Sequence, residues 1–300
     1  MKKIALVIPV YNHLDYTSRC IRTLDTLIVS QSFRHSEYQI IVVDDGSTDG
    51  TAAWLEEHHP DVKVLQGDGT LWWSGGINRG ARFAMEQHGA DYILLWNNDI
   101  TPAEDYFLQL DLMINDLGTD TLVGSKIYYH GNEQMLWSCG GRFDPVSGKR
   151  SMVGMDQPDS ERYNEVLEVD WLPGMGTVVP TEVIKRIGFW DARRFPQYHG
   201  DSDFTYRARK AGFKVVVHPE LKIWNDKSSS GLTHGDSLRG LIRSFTSIRS
   251  NLNIRKNLLF YRRHADSWTA YRFLIRYYLK VVGGFVKWKV LAQFGKKRSG

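Results

Sequence analysis

Two short apolar runs stop abruptly at acidic and amide side chains: IIVVDDGSTDGT over residues 40–51 and YILLWNNDI over residues 92–100. The first reads as a buried parallel strand that opens into a turn at Asp44, Asp45 and Gly46, with Thr48 or Asp49 set to cap the next helix. The second stops at Asn97, Asn98 and Asp99. Open α/β sheets bind ligands at strand ends, so the two sets of oxygens are expected to meet over one crevice. Such donors suit a nucleotide and a hard divalent cation. A further acidic pair, Asp201 and Asp203, stands at the start of a helix expected to run to about Gly212, where free N–H groups and the helix dipole favour carboxylates. Each position also has a plainer reading. Asp44 would be a turn residue before Gly46, Asp99 the cap of a helix beginning near Pro102, and Asp201 with Asp203 a pair of caps.

The elements that must hold these residues alternate along the first half. IALVIPV, YQIIVVD, VKVLQ, YILLWN and TLVGSK read as strands, and Tyr16–Leu27, Gly50–His58, Gly75–Gln87 and Ala103–Leu117 as the helices between them. This is an α/β pattern with a mostly parallel central sheet flanked by helices. The Gly-rich GDGTLWWSGGINRG segment (67–80) permits close approach of backbone to ligand, and its last part should open a helix whose N–H groups face a diphosphate or ribose. From Ile127 to Asp170 the period is lost, which predicts a hairpin insertion or mobile loop beside the site. A strand over 171–180 and a short helix at Glu182–Ile187 then lead to the second acidic pair.

Composition bounds the function classes. The 300 residues, 42% hydrophobic and 24% charged, describe a globular chain able to bury a full core. Cys20 and Cys139 provide neither zinc-site spacing nor a disulfide framework, as a reducing cytoplasm permits. The apolar run near the N-terminus is closed by Pro9, too short for a signal peptide or a membrane span. The net charge of +4 conceals an asymmetry: Arg239 to Gly300 holds 15 Lys and Arg against one acid, Asp266, leaving 23 basic against 33 acidic residues before it. Arg272, Arg276, Lys280 and Lys287 fall within about 80° of arc at 100° per residue. An anionic membrane surface is the expected partner of this region; a solvated basic helix packed on the rest is the plainer reading, and Gly283 and Gly284 argue against one continuous helix. No nucleic-acid module is present, and no nucleic-acid partner is expected.

Seven segments in order carry a resemblance over about residues 3–260: VIPVYN (7–12), VVDDGSTDGT (42–51), WSGGINRG (73–80), WNNDI (96–100), WLPGMG (171–176), HGDSDFTYRARKAG (199–212) and RKNLLF (255–260). Together they resemble family 2 of the inverting glycosyltransferases, which have the GT-A nucleotide-sugar-binding fold, and most nearly bacterial rhamnosyltransferase-like enzymes of surface polysaccharide synthesis. The resemblance implies a catalytic domain over 1–236, with a nucleotide-binding half to about 126 and an acceptor-binding half over 127–236, followed by a basic helical region over 237–300. It implies a UDP- or dTDP-linked sugar donor, a glycan or lipid-linked glycan acceptor, and Mg²⁺ or Mn²⁺; the basic tail would hold such a cytoplasmic protein at the inner face of the plasma membrane.

The site residues follow from the same resemblance. Asp44 is implied to contact the base, with Pro9, Tyr11 and Asn12 beside it, Asp45 and Ser47 nearby, and Asn78 and Asn98 on the nucleotide side. Asp99 is the expected metal ligand; the family's Asp-x-Asp motif has Asn97 here in place of its first Asp. Asp201 is implied to be the general base, because an acceptor hydroxyl is a poor nucleophile until a carboxylate takes its proton. Trp171, Gly174 and Asp203 are implied to support the acceptor side, and Arg255 to meet the diphosphate. The chain departs from the family at Gly200, usually Glu, and at Asn225, usually a His that completes metal or diphosphate contacts; His218 or His234 would be its substitutes. A sugar nucleotidyltransferase and a catalytically degenerate nucleotide-sugar or glycan binder are the alternatives.

Overall fold

The computed structural model describes residues 1–226 and 237–296, with side chains described to residue 289. The first half alternates β1 (Lys2–Val10), α1 (Leu14–Val29), β2 (Ser36–Asp44), α2 (Thr51–His58), β3 (Lys63–Gln66), α3 (Trp72–Phe83) and β4 (Tyr92–Leu95). β1 lies parallel between β2 and β4, and β2 is parallel to β3. Both faces of this sheet are covered, which is why its strands read as unbroken apolar runs. Successive residues serve opposite faces: Ala5, Val7, Ile41 and Val43 join Ile77 and Ala81 of α3 in one core. Ile4, Leu6, Ile8, Ile40 and Val42 join Cys20, Ile21 and Leu24 of α1 in the other.

The sheet continues through β5 (Ile100–Pro102), α4 (Tyr106–Ile114), β6 (Thr121–Tyr129), β7 (Asn132–Ser138), β8 (Gly141–Phe143), β9 (Arg150–Met152), β10 (Gln157–Pro158), β11 (Leu167–Glu168) and β12 (Thr177–Pro180). Its main path runs β3-β2-β1-β4-β12-β6-β7-β10. β12 inserts antiparallel between β4 and β6. After α5 (Thr181–Ile187) and α6 (Gly200–Lys210), β13 (Lys214–Asn225) pairs parallel with β6. The aperiodic stretch after Ile127 is built of hairpins, β6 with β7 and β8 with β9.

Three expectations change. The strand expected over 171–180 is paired as a strand only from Thr177. The helix expected from Ala103 begins at Tyr106, because β5 is drawn into pairing with β13; Asp99 therefore precedes a strand and is not a helix cap. The third change is in the C-terminal region, α7 (Leu238–Thr246), α8 (Ile254–His264) and α9 (Trp268–Lys296), where α9 runs unbroken through Gly283 and Gly284. The cost of about 1 kcal/mol per helical glycine is spread over a long helix. Phe260 and Tyr261 of α8 and Ala270 and Leu274 of α9 share a core with Phe143, Trp171 and Tyr206, so these helices are seated on the hairpins and α6. No helix among the described residues is long and apolar enough to cross a membrane.

Candidate active site

A cleft of about 440 Å³ opens at the carboxyl ends of β1 and β2. Pro9, Tyr11, His13 and Asp45 line one side, Trp72 and Trp73 another, and Gln197, Tyr198 and Arg249 complete it. Asp44 is fully buried; its Oδ1 accepts the Ser47 N–H at 2.8 Å, and its Oδ2 has no hydrogen-bond partner among the described residues. Asn12 and Ser47 latch the two strand-end loops together: the Asn12 N–H donates to Ser47 Oγ at 2.7 Å, and the Thr48 N–H donates to Asn12 Oδ1 at 2.9 Å. Asn12 and His13 both have left-handed backbones, φ 55° and 60°, which turn the chain sharply into α1. Asp49, the expected cap, serves two helices, accepting the Leu14 N–H at 2.8 Å and the Thr51 N–H at 3.2 Å.

Asp45 holds the Gly-rich loop. Its Oδ1 accepts from the N–H groups of Gly69 and Leu71, and its Oδ2 from that of Trp72 at 2.9 Å. This corrects the expectation that α3 begins with free donors. The Trp73 N–H goes to Gln197 Oε1 and the Ser74 N–H to Pro196 O, so the opening amides are taken up within the protein. Asn78 is likewise engaged: its Nδ2 donates to Trp190 O at 2.8 Å and its Oδ1 accepts the Trp190 N–H at 3.0 Å. Its amide ties α3 to the loop that leads from α5 to α6. Among the described residues the Lys or Arg on the cleft is Arg249, with its guanidinium 5.6 Å from the Trp72 ring, whereas Arg255 is exposed on the first turn of α8 and does not line the cleft.

Asp201 and Asp203 have divided roles. Asp201 Oδ1 accepts the Ser202 N–H at 2.7 Å and Oδ2 the Gly174 N–H at 3.0 Å. Burial pushes its carboxyl above the usual carboxylate range, against the pull of the Ser202 N–H, the Arg150 charge and the Gly174 N–H. Tyr198, on the cleft wall, is raised by burial and by the charge of Asp201. Asp203 is fully buried and accepts from Arg207 Nε, Arg263 Nη1 and His264 Nε2, all at 2.8–2.9 Å. Burial opposes its ionisation, but the His264 hydrogen bond and the Arg207 and Arg263 charges outweigh it and hold the carboxyl below its usual range. Asp203 thus clamps α6 to α8.

Two glycines explain why the acidic turn tolerates no bulk. A Cβ on Gly174 would lie 2.1 Å from the Trp73 ring, and one on Gly200 would lie 2.1 Å from Ser74 Oγ. The absence of Glu at position 200 therefore reflects close contact between α3 and α6. Trp171 is buried and its ring carries the Arg150 guanidinium at 4.8 Å. Arg150, which has no sequence signal beyond its charge in an aperiodic stretch, donates to His199 Nδ1 at 2.6 Å and to Ser202 Oγ at 3.2 Å. An arginine is only a donor, so His199 Nδ1 carries a lone pair and the ring is neutral, in keeping with burial and the Arg150 charge driving its pKa well down.

The second acidic turn faces elsewhere. Asn97 Oδ1 accepts from Trp73 Nε1 at 3.0 Å, on the wall of the main cleft. Asn98 donates to Thr17 Oγ1 at 3.0 Å and, with Asp99 and Asp226, lines a second, smaller hollow. The two sets of oxygens therefore flank α3 and α1 instead of meeting over one crevice. Among the described residues no three His, Cys, Asp or Glu side chains converge on a cation position. The donor chemistry nevertheless fits a hard cation: Asp99 and Asp226 are carboxylates on one hollow, and Asn225, in register with Ile100, has a buried Oδ1 with no partner among the described residues. His218 sits within β13 accepting the Glu220 N–H, and His234 lies outside the described residues.

Residues 5–157 match the family model described as Glycosyl transferase family 2. The glycosyltransferase AglE of Haloferax volcanii is 25% identical over 223 residues, covering 71% of this chain and 63% of its own length. GalNAc-T7, solved with UDP, GalNAc and Mn²⁺, shares the fold with a TM-score of 0.57 at 13% identity, covering 75% of this chain and 44% of that one. Staphylococcus aureus TarS 1-349, solved with UDP, has a TM-score of 0.52 at 16% identity, covering 90% of this chain and 68% of that one. The chain thus spans less than two thirds of the length of AglE and of GalNAc-T7.

Proposed function

Because the chain belongs to glycosyl transferase family 2, we propose that it moves a sugar from a UDP- or dTDP-linked donor to a glycan or lipid-linked glycan acceptor, with inversion, in bacterial surface polysaccharide synthesis. One observation carries the reading: the cleft has Pro9, Tyr11 and Asp45 of the strand-end loops on one wall, and on the other Gln197 and Tyr198, which lead directly into Asp201. A nucleotide seated against the first wall would present its sugar to the Tyr198 side of the cleft, from which the chain enters the turn that carries Asp201.

Asp44 Oδ2, a buried acceptor with no donor among the described residues, suits the imide N–H of a uracil or thymine. Arg249 supplies positive charge toward the diphosphate from its seat over Trp72. Asp201 takes the proton of the acceptor hydroxyl as the oxygen attacks the anomeric carbon and the nucleoside diphosphate departs; burial strengthens it as a base, and the Gly174 and Ser202 N–H groups keep both oxygens oriented. A single displacement with one base inverts the anomeric centre. Asp99, on the hollow it shares with Asp226, would hold Mg²⁺ or Mn²⁺, with Asn97 beside it and water completing the coordination. The cationic region beyond residue 237 would keep the enzyme at the inner face of the plasma membrane.

Ligand-detected NMR against UDP-, dTDP- and GDP-sugars, with and without Mg²⁺, tests the reading. Metal-dependent binding of one donor, followed by its transfer to acceptor, is the expected result. A folded protein that binds no donor with metal present would overturn it.

A further inference from the structure

We propose that α9 is a membrane-surface helix whose outer stripe, Trp268, Ile275, Leu279, Val282 and Val286, inserts into an anionic bilayer. The inference deepens the membrane contact in the functional reading above. At 100° per residue these five side chains fall within about 60° of arc. They are 84%, 60%, 65%, 38% and 52% exposed, whereas Ala270 and Leu274, on the opposite side of the helix, are buried in the core shared with α8. The stripe is therefore not the face that seats α9 on the domain. It extends for about 27 Å at 1.5 Å per residue.

Charge identifies the occupant. Arg272, Arg276, Lys280 and Lys287 lie directly alongside the stripe, and Lys289 flanks its other edge, its Nζ 5.4 Å over the Trp288 ring. No Asp or Glu follows Asp266 in the chain. An apolar row flanked by cations and by no acid matches acyl chains beneath anionic headgroups, the long basic side chains reaching outward while the apolar ones enter. A second copy of this face would bring rows of like charge together, which disfavours self-pairing. No helix among the described residues can cross a bilayer, so α9 lies along the surface.

The test is co-sedimentation of the full chain, without donor or acceptor, with vesicles of phosphatidylcholine alone or mixed equally with phosphatidylglycerol. The expected result is binding to the mixed vesicles only. The double substitution Ile275→Ser and Leu279→Ser should weaken it at least about tenfold, since both side chains lose apolar burial in the bilayer. Arg272→Gln with Arg276→Gln and Lys280→Gln should weaken it and flatten its salt dependence. Thermal unfolding should be unchanged in both variants, because the altered side chains are exposed. Wild-type protein that stays in the supernatant, or binding insensitive to the serine pair, would overturn the proposal. So would a concentration-dependent dimer abolished by the serine pair in a protein that binds no vesicles. Since no substrate is used, failure here leaves sugar transfer standing, and failed transfer to a soluble acceptor leaves vesicle binding standing.

Discussion

Asp201→Asn separates proton abstraction from structure. The carboxylate is held by two backbone donors, the Ser202 N–H at 2.7 Å and the Gly174 N–H at 3.0 Å. Asparagine has the same shape but one acceptor oxygen, so one of these bonds is lost and an NH₂ group meets an N–H. Losing one such bond costs about 0.5–1.5 kcal/mol, and more where the acceptor was charged. Removing a charge whose burial is unfavourable, as its raised pKa records, offsets part of that cost. The net loss should be about 1 kcal/mol, a fall in Tm of roughly 2–4 °C. Loss of a general base should lower kcat by about 10²–10⁴. Donor affinity should hold, because the nucleotide-side loops are untouched. The assay is initial rates at saturating donor, calorimetric titration of the donor, and thermal unfolding of the same preparation. A variant with near-normal kcat would remove Asp201 as the base. A drop in kcat accompanied by lost donor binding or a large fall in Tm would assign it a structural role.

Gly200→Ala should destabilise the fold by about 1–3 kcal/mol through overpacking, since its Cβ would lie 2.1 Å from Ser74 Oγ; adding Ser74→Ala should recover part of the loss in thermal unfolding, and no recovery would refute the contact. Arg249→Ala should weaken nucleoside diphosphate binding about tenfold by calorimetry, and Arg255→Ala should leave it unchanged; the reverse order would restore the assignment to α8. Asp99→Asn should raise the Mn²⁺ concentration needed to half-saturate the protein, and unchanged metal titration would exclude Asp99 as a ligand. His199 and His264 are both held neutral by burial, so their contribution to stability is complete above the unfolded His value near 6.5 and is lost as pH falls below it. Denaturant unfolding at successive pH values should show this decline, with a slope of up to about 1.4 kcal/mol per pH unit per histidine. His199→Asn, which tolerates the left-handed backbone at φ 66°, should flatten it.

The residues of the candidate site were legible in the sequence to different depths. Asp44, Asp99 and Asp201 stand out because they interrupt patterns that are local: an apolar run ends, or a helix begins. Their surroundings are set by contacts between distant segments. Asn78 and Trp190 exchange two hydrogen bonds across 112 positions, and Asp203 meets Arg263 across 60. Neither pairing leaves a trace in periodicity, nor does the stacking of Arg249 on Trp72 or the approach of Gly200 to Ser74.

The sequence alone determined the order of strands and helices in the first half and the two-faced burial of β1 and β2, because side-chain alternation and helical period act over a few residues. Tertiary structure decided what those signals leave open. β12 runs antiparallel between β4 and β6. β5 forms by pairing with β13, and the helix after it starts only at Tyr106. Asp45 is turned inward to hold the Gly-rich loop, and Asp99 opens on a hollow of its own. Each of these depends on which segments meet in space, where hydrogen-bond satisfaction and close packing override local preference.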